Sequence, residues 1–213
     1  MKRMLYILTV ISLVLSLASC GEMRYDEAEV LSQAEVLIMR SEQLNELYWG
    51  EGIPYENDIS YANGYYFRAN EPLLNLKYGG TTVDYLKRIT RLVFSENYCE
   101  SIFSGAFKGI SDDDGIYAYA RYYQKYSDAE MKEPECIMVY SHYVPFLTDE
   151  VEYLYDTLKV SHSDRERVYV NIDARVTREN KTQTETITVG LVLENGVYKI
   201  DTPTYLTYNE TEN

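Results

Sequence analysis

"RVYVNIDARVTRENKTQTETITVGLVLENGVYKID", residues 167–201, carries the clearest structural signal in the chain. In its first ten residues Val168, Val170, Ile172, Ala174 and Val176 fall on one side. Tyr169, Asn171, Asp173 and Arg175 fall on the other. Alternation of this kind puts every second side chain on the same face of a strand, with one face buried. The pattern resumes in "TITVGLVL", where Ile187, Val189, Leu191 and Leu193 form the expected inward set. Between the two, "TRENKTQ" (177–183) reads as a polar hairpin loop. Asn195-Gly196 then supplies the strongest short hairpin signal, since both central positions of a type I′ turn need positive φ. "VYKID" returns antiparallel.

Upstream, further strands are expected at 115–124, 136–144 and 151–161, and before them the period changes from 2 to 3.6. Leu31, Ala34, Ile38 and Tyr48 make a helical stripe from Asp26 to about Tyr48, widened by Val30, Leu37 and Leu44. Asp26, Glu27 and Glu29 crowd its first turn, where negative charge suits the helix dipole. "WGEG" followed by Pro54 ends it. The next 27 residues hold Pro54, Gly64, Pro72 and "YGG" and read as a long loop with one short strand at 64–69. Thr81 and Thr82 are capping residues for a second helix carrying Val83, Leu86, Ile89 and Val93. Ser95 caps a third with Tyr98, Cys99, Ile102 and Phe103. Helices first and strands afterwards give an α+β fold, with N-terminal helices packed on a curved antiparallel sheet. This resembles the cystatin-like roll of nuclear-transport-factor-like domains.

The N-terminus has its own logic. Lys2 and Arg3 precede the apolar run "LYILTVISLVLSL" (5–17), which is shorter than the roughly 20 residues a spanning helix needs. Small residues Ala18 and Ser19 stand before Cys20. A basic start, a short apolar core and small residues at the cut mark a signal peptide. Leu17-Ala18-Ser19-Cys20 resembles a bacterial lipobox, which implies lipidation at Cys20. Two acyl chains would anchor stably where one is marginal. The expected division is a signal peptide at 1–19, a lipidated cysteine and tether at 20–25, one domain at 26–206, and a tail at 207–213. The location is then extracytoplasmic, with membrane contact through the lipid alone.

The chain has 34 acidic and 20 basic residues, a formal net charge of −14. Such a balance repels nucleic acid and other polyanions and suits a basic exported partner. Of the three cysteines, Cys99 and Cys136 remain after Cys20. An exterior location permits a disulfide between them, and their apolar surroundings equally fit two buried thiols.

The 23 tyrosines stand against one tryptophan and five phenylalanines. They cluster in "YANGYYF" (61–67), "IYAYARYYQKY" (116–126) and "VYSHYV" (139–144). Tyrosine joins a large apolar ring to a polar tip, which serves strand packing and ligand surfaces alike. Rings around an open cavity would indicate a small ligand or glycan; an outward patch would indicate a protein partner.

Catalytic groups are few. His142 and His162, both in strand-like stretches, lie outside any zinc spacing, and "SHS" around His162 lacks a nucleophile elbow. No phosphate-binding glycine loop is present, so neither an enzyme nor a cofactor or metal site is expected. Asp112, Asp113 and Asp114 stand before Gly115. Three consecutive carboxylates miss the alternate spacing of a calcium loop. They read as a solvated turn or as an acidic loop that docks on a basic protein.

One family resemblance runs through "LYWGEG", "YYFRAN", "TTVDYLKRITRLVFSENYCESIF", "DDDGIYAYA" and "ENGVYKID", covering most of residues 30–202. This ordered set resembles the inhibitors of bacterial peptidoglycan D,L-endopeptidases. The middle segment matches a threonine, a "YL" helix, an aromatic and a helix-capping hydroxyl before a second short helix. The chain departs in having "DDDGIY" in place of a double-glycine turn. The resemblance implies a cystatin-like fold, no catalysis, and action by blocking a cell-wall hydrolase. Asp112, Asp113, Asp114 and Tyr117 would then belong to the partner-binding surface. The competing expectation is a non-catalytic lipoprotein that holds a small molecule or glycan in a pocket between helix and sheet.

Overall fold

A computed structural model describes residues 25–61, 64–112, 115–128, 134–178 and 181–205. The leader with Cys20, the Asp113-Asp114 pair and the tail from 206 lie outside the described residues. No helix among the described residues is long and apolar enough to cross a membrane.

The fold is α+β. Helix α1 spans Glu27–Tyr48, followed by strands β1 (Tyr55–Tyr61) and β2 (Tyr66–Ala69) and helices α2 (Glu71–Tyr78), α3 (Val83–Val93) and α4 (Glu96–Phe103). A π-helical turn, Ser104–Lys108, extends α4. Then come β3 (Ile110–Asp112), β4 (Gly115–Ala118), β5 (Tyr122–Lys125), β6 (Cys136–Tyr140), β7 (Glu150–Ser163), β8 (Arg167–Arg178), β9 (Lys181–Glu194) and β10 (Val197–Ile200). The strands form two antiparallel four-stranded sheets, ordered β1-β2-β6-β5 and β10-β9-β8-β7, with β3-β4 as a separate ribbon.

The 167–201 segment forms β8, β9 and β10. Val168, Val170, Ile172, Ala174 and Val176 are fully buried, as are Val189 and Leu191. Asn195 and Gly196 both have positive φ, 52° and 79°, so the turn is of the type that dipeptide encodes. Two readings need correction. Thr177, Arg178 and Lys181 to Gln183 belong to the strands, because Thr177 pairs with Thr182 and Arg178 with Lys181. Leu193, expected inward, is half exposed at the strand end.

Helix α1 lies against β7 and β10. The Asp26 side chain caps it by accepting from the Glu29 N–H. Its buried stripe includes two polar residues that no apolar pattern could flag. Ser41 and Asn45 both bond the Thr204 hydroxyl, at 2.7 and 2.8 Å, which clamps the C-terminal segment across the helix. The supposed loop after β2 contains α2. Asn70 caps it through the Leu73 N–H, Pro72 sits in its first turn, and Gly79 ends it at φ 83°.

The expected strand at 115–124 is interrupted. Residues 115–118 pair with β3, whereas 122–125 pair with β6 in another sheet. The expected strand at 136–144 stops at Tyr140, so His142 stands in a turn rather than on a strand. Both breaks fall at the same place in space.

Candidate functional site: a tyrosine-lined cavity at the end of the first helix

A helix leaves its last carbonyls without intrahelical donors. Around the end of α1 these oxygens find partners from the segments after both broken strands. Tyr122 Oη donates to the Leu47 carbonyl at 2.7 Å and Tyr143 Oη to the Tyr48 carbonyl at 3.2 Å. The Phe146 and Leu147 N–H groups both donate to the Trp49 carbonyl. Arg121 Nη2 donates to the Gly50 carbonyl at 2.6 Å. Tyr48 itself is fully buried and bonds the Thr90 hydroxyl, which donates in turn to the Leu86 carbonyl. Burial raises the Tyr48 and Tyr122 pKa values well above the ordinary phenol value.

These contacts frame an open cavity of about 460 Å³, within the size range of small-ligand sites. Tyr48, Trp49 and Arg121 line one side, and the turn carrying His142, Tyr143 and Val144 lines another. Gly105, Ala106 and Gly109, in and just after the π-helical turn, make a wall of small residues.

Three tyrosine-rich runs, distant in sequence, meet at its mouth. Strand pairing places Tyr66 opposite Tyr140 and Tyr122 opposite Val139. Tyr65 stacks on Tyr119 with ring centroids 5.5 Å apart and planes at 16°. Tyr119 stacks on Tyr140 at 5.1 Å and 26°. His142 tilts against both Tyr65 and Tyr140. Tyr66 is the buried root of the row: its hydroxyl donates to the Ala120 carbonyl, and burial, reinforced by Tyr123, Tyr140 and Tyr119, pushes its pKa up to about 12. By contrast Tyr65 and Tyr119 are 40 and 42 % exposed. The row is thus rooted in the sheet and open on its outer side.

Arg121 is 3 % exposed. Gly52, at φ 78°, leaves the space its guanidinium fills, since a Cβ there would collide with Nη2 and with Tyr122 Oη. The Tyr143 ring covers the other face, 3.7 Å from the guanidinium carbon. Nη1 has no hydrogen-bond partner, and no carboxylate among the described residues forms an ion pair with Arg121. An unmatched buried donor costs about 1–3 kcal/mol, more for a charged group. Glu46, packed against Gly50, instead accepts from the Glu51 N–H and pairs with Lys77.

Another cleft, of about 200 Å³, has Glu42, Glu46, Phe146 and Asp149 among its walls. Its carboxylates are already engaged: Glu42 by Tyr155 Oη, Glu46 as above, and Asp149 by Arg178. The tyrosine cavity has the polar group that lacks a partner.

Of the residues singled out in the sequence, Asp112 ends β3 and pairs with Gly115 across the ribbon, and Tyr117 lies on β4. Cys99 and Cys136 are both buried and unpaired; burial pushes the Cys99 thiol up to about 12. The Ser161 hydroxyl does meet His162 Nδ1, at 3.2 Å, but the imidazole lies flat on Tyr169 at 4.3 Å. Among the described residues no group of three or more His, Cys, Asp or Glu side chains could hold a metal ion. Trp49, Arg121 and Tyr143 went unmarked in the sequence. The available signal was Arg121 itself, one of two cations, with Lys125, inside the densest tyrosine run. No protein-family model matches this chain, nor does any curated protein or solved structure.

Proposed function

We propose that this chain is an exported, lipid-anchored binding protein without catalytic activity, and that its tyrosine cavity holds a carbohydrate. The single observation that carries the reading is the stacked row Tyr65–Tyr119–Tyr140, exposed along one side at the mouth of the cavity. A pyranose presents polarised C–H groups on its flat face and hydroxyls around its edge. Stacking engages the Tyr119 ring with both neighbours, so what the open side of the row offers a sugar is ring edge and polar phenol tips, matched to the hydroxyls around the pyranose edge. The signal segment and Cys20 support an extracytoplasmic site for this encounter. The inhibitor reading drawn from the family resemblance rests on Asp112, Asp113, Asp114 and Tyr117, of which Asp113 and Asp114 lie outside the described residues.

Affinity electrophoresis tests the reading. Residues 21–213 are run through native gels cast with neutral and acidic soluble polysaccharides. Retardation by at least one polysaccharide, lost in the Tyr119→Ala/Tyr140→Ala double variant, is the expected result. Unretarded migration in every gel would overturn it.

A further inference from the structure

We infer that the sugar held in this cavity carries a carboxylate, and that Arg121 is the residue that recognises it; the inference rests on the carbohydrate reading above. Buried charges in proteins are ordinarily paired. Arg121 is 97 % buried, lines the cavity, and has no ion-pair partner among the described residues. Its Nη2 is spent on the Gly50 carbonyl at the end of α1, where the helix dipole offsets part of the charge. Nη1 has no acceptor in hydrogen-bond geometry, although the guanidinium also lies against the Tyr122 and Tyr143 hydroxyls. A planar guanidinium with a free N–H in a partly enclosed site is matched by an oxyanion, and a carboxylate is the planar one.

Tyr143 covers this group. Its ring lies over the guanidinium, and its hydroxyl holds the Tyr48 carbonyl. The turn that carries it is open to solvent at His142 and Val144. Nη1 is buried beside the Tyr143 ring, so a carboxylate reaches it only where that ring gives way. The chain's negative charge does not forbid a single carboxylate, because exposed charges more than about 8–10 Å away are largely screened at physiological salt. It does disfavour polyanions, so a sugar with one acidic group fits best.

The test uses calorimetric titration of residues 21–213 with glucuronic, galacturonic and N-acetylneuraminic acids, each beside its methyl ester. Esterification removes the charge and keeps the ring. The expected result is that at least one acid binds and its ester binds at least tenfold more weakly. Arg121→Gln should bind that acid as weakly as the wild type binds the ester. Equal binding of acid and ester overturns the inference while leaving the carbohydrate reading in place. No binding by either series overturns the inference, and the carbohydrate reading then stands or falls on the gel retardation. The ester comparison needs no substitution, so the result stands even where Arg121→Gln fails to fold.

Discussion

The Tyr143 ring lies 3.7 Å from the guanidinium carbon of Arg121, and both side chains donate to carbonyls at the end of α1. One aromatic–cation pair therefore closes the helix end and forms the cavity wall. Removing the ring should loosen both. Tyr143→Ala is expected to lower stability by about 2 kcal/mol, from a desolvated cation–π contact and one hydrogen bond. Tyr143→Phe keeps the stack and should lose only about 1 kcal/mol. Urea unfolding of the two variants separates these contributions.

Asp201 holds another junction. It accepts from the Ser95 hydroxyl and from Arg167 at 2.8 and 2.5 Å, with its own side chain 5 % exposed. Ser95 meanwhile caps α4, and its N–H donates to the Ile200 carbonyl. Arg167 is about a third exposed and water can take up its freed donors, so Asp201→Ala should cost about 1.5–3 kcal/mol, the range for hydrogen bonds to a charged group. Leu193→Thr, at a half-exposed site on neighbouring β9, should change stability by less than about 0.5 kcal/mol. Thermal melts of both variants make the comparison.

Thiol chemistry gives a third check. Cys99 and Cys136 are buried and unpaired, and Cys99 is held in the neutral thiol form. Since the thiolate is the reactive species, a disulfide-exchange reagent at pH 8 should label neither in folded residues 21–213. After denaturation it should label both. Fewer than two reactive thiols in denaturant would show a disulfide.

Alkaline pH should act through the phenols. Tyr66 is raised to about 12, and Tyr48 and Tyr122 are raised further in the same direction by burial. In the unfolded chain these groups ionise near pH 10. The stability they contribute is thus fully present below pH 10. It declines as the pH rises from 10 towards 12, because the unfolded state releases their protons first. Absorbance at 295 nm should show exposed tyrosines titrating near pH 10 and a later cooperative step coinciding with loss of near-ultraviolet dichroism. A single non-cooperative titration would contradict the burial.

Much of the framework could be read from period alone. Val168 to Val176 alternate so strictly that β8 admits one register, and the caps Thr82 and Ser95 mark α3 and α4 correctly. What escaped was decided by partners far along the chain. Helix α2 is eight residues long, with Pro72 in its first turn, so its helical periodicity was too short to outweigh the loop signals around it. The tyrosine runs were visible, but alternation could not say that 115–124 would split between two sheets, exposing Tyr119 and burying Arg121 at the break. Nothing local marks Ser41 and Asn45 as buried, because their shared partner, Thr204, lies about 160 residues away.

Trp49 is the chain's one tryptophan and lines the cavity, which makes its emission the most direct reporter of occupancy. Residues 21–213 should be titrated with the acidic and neutral sugars while that emission is followed. The account predicts a saturable spectral shift with the acids, absent from the Tyr119→Ala/Tyr140→Ala variant. An unchanged spectrum throughout, from protein that stoichiometrically inhibits a D,L-endopeptidase, would contradict it and put the function on another surface.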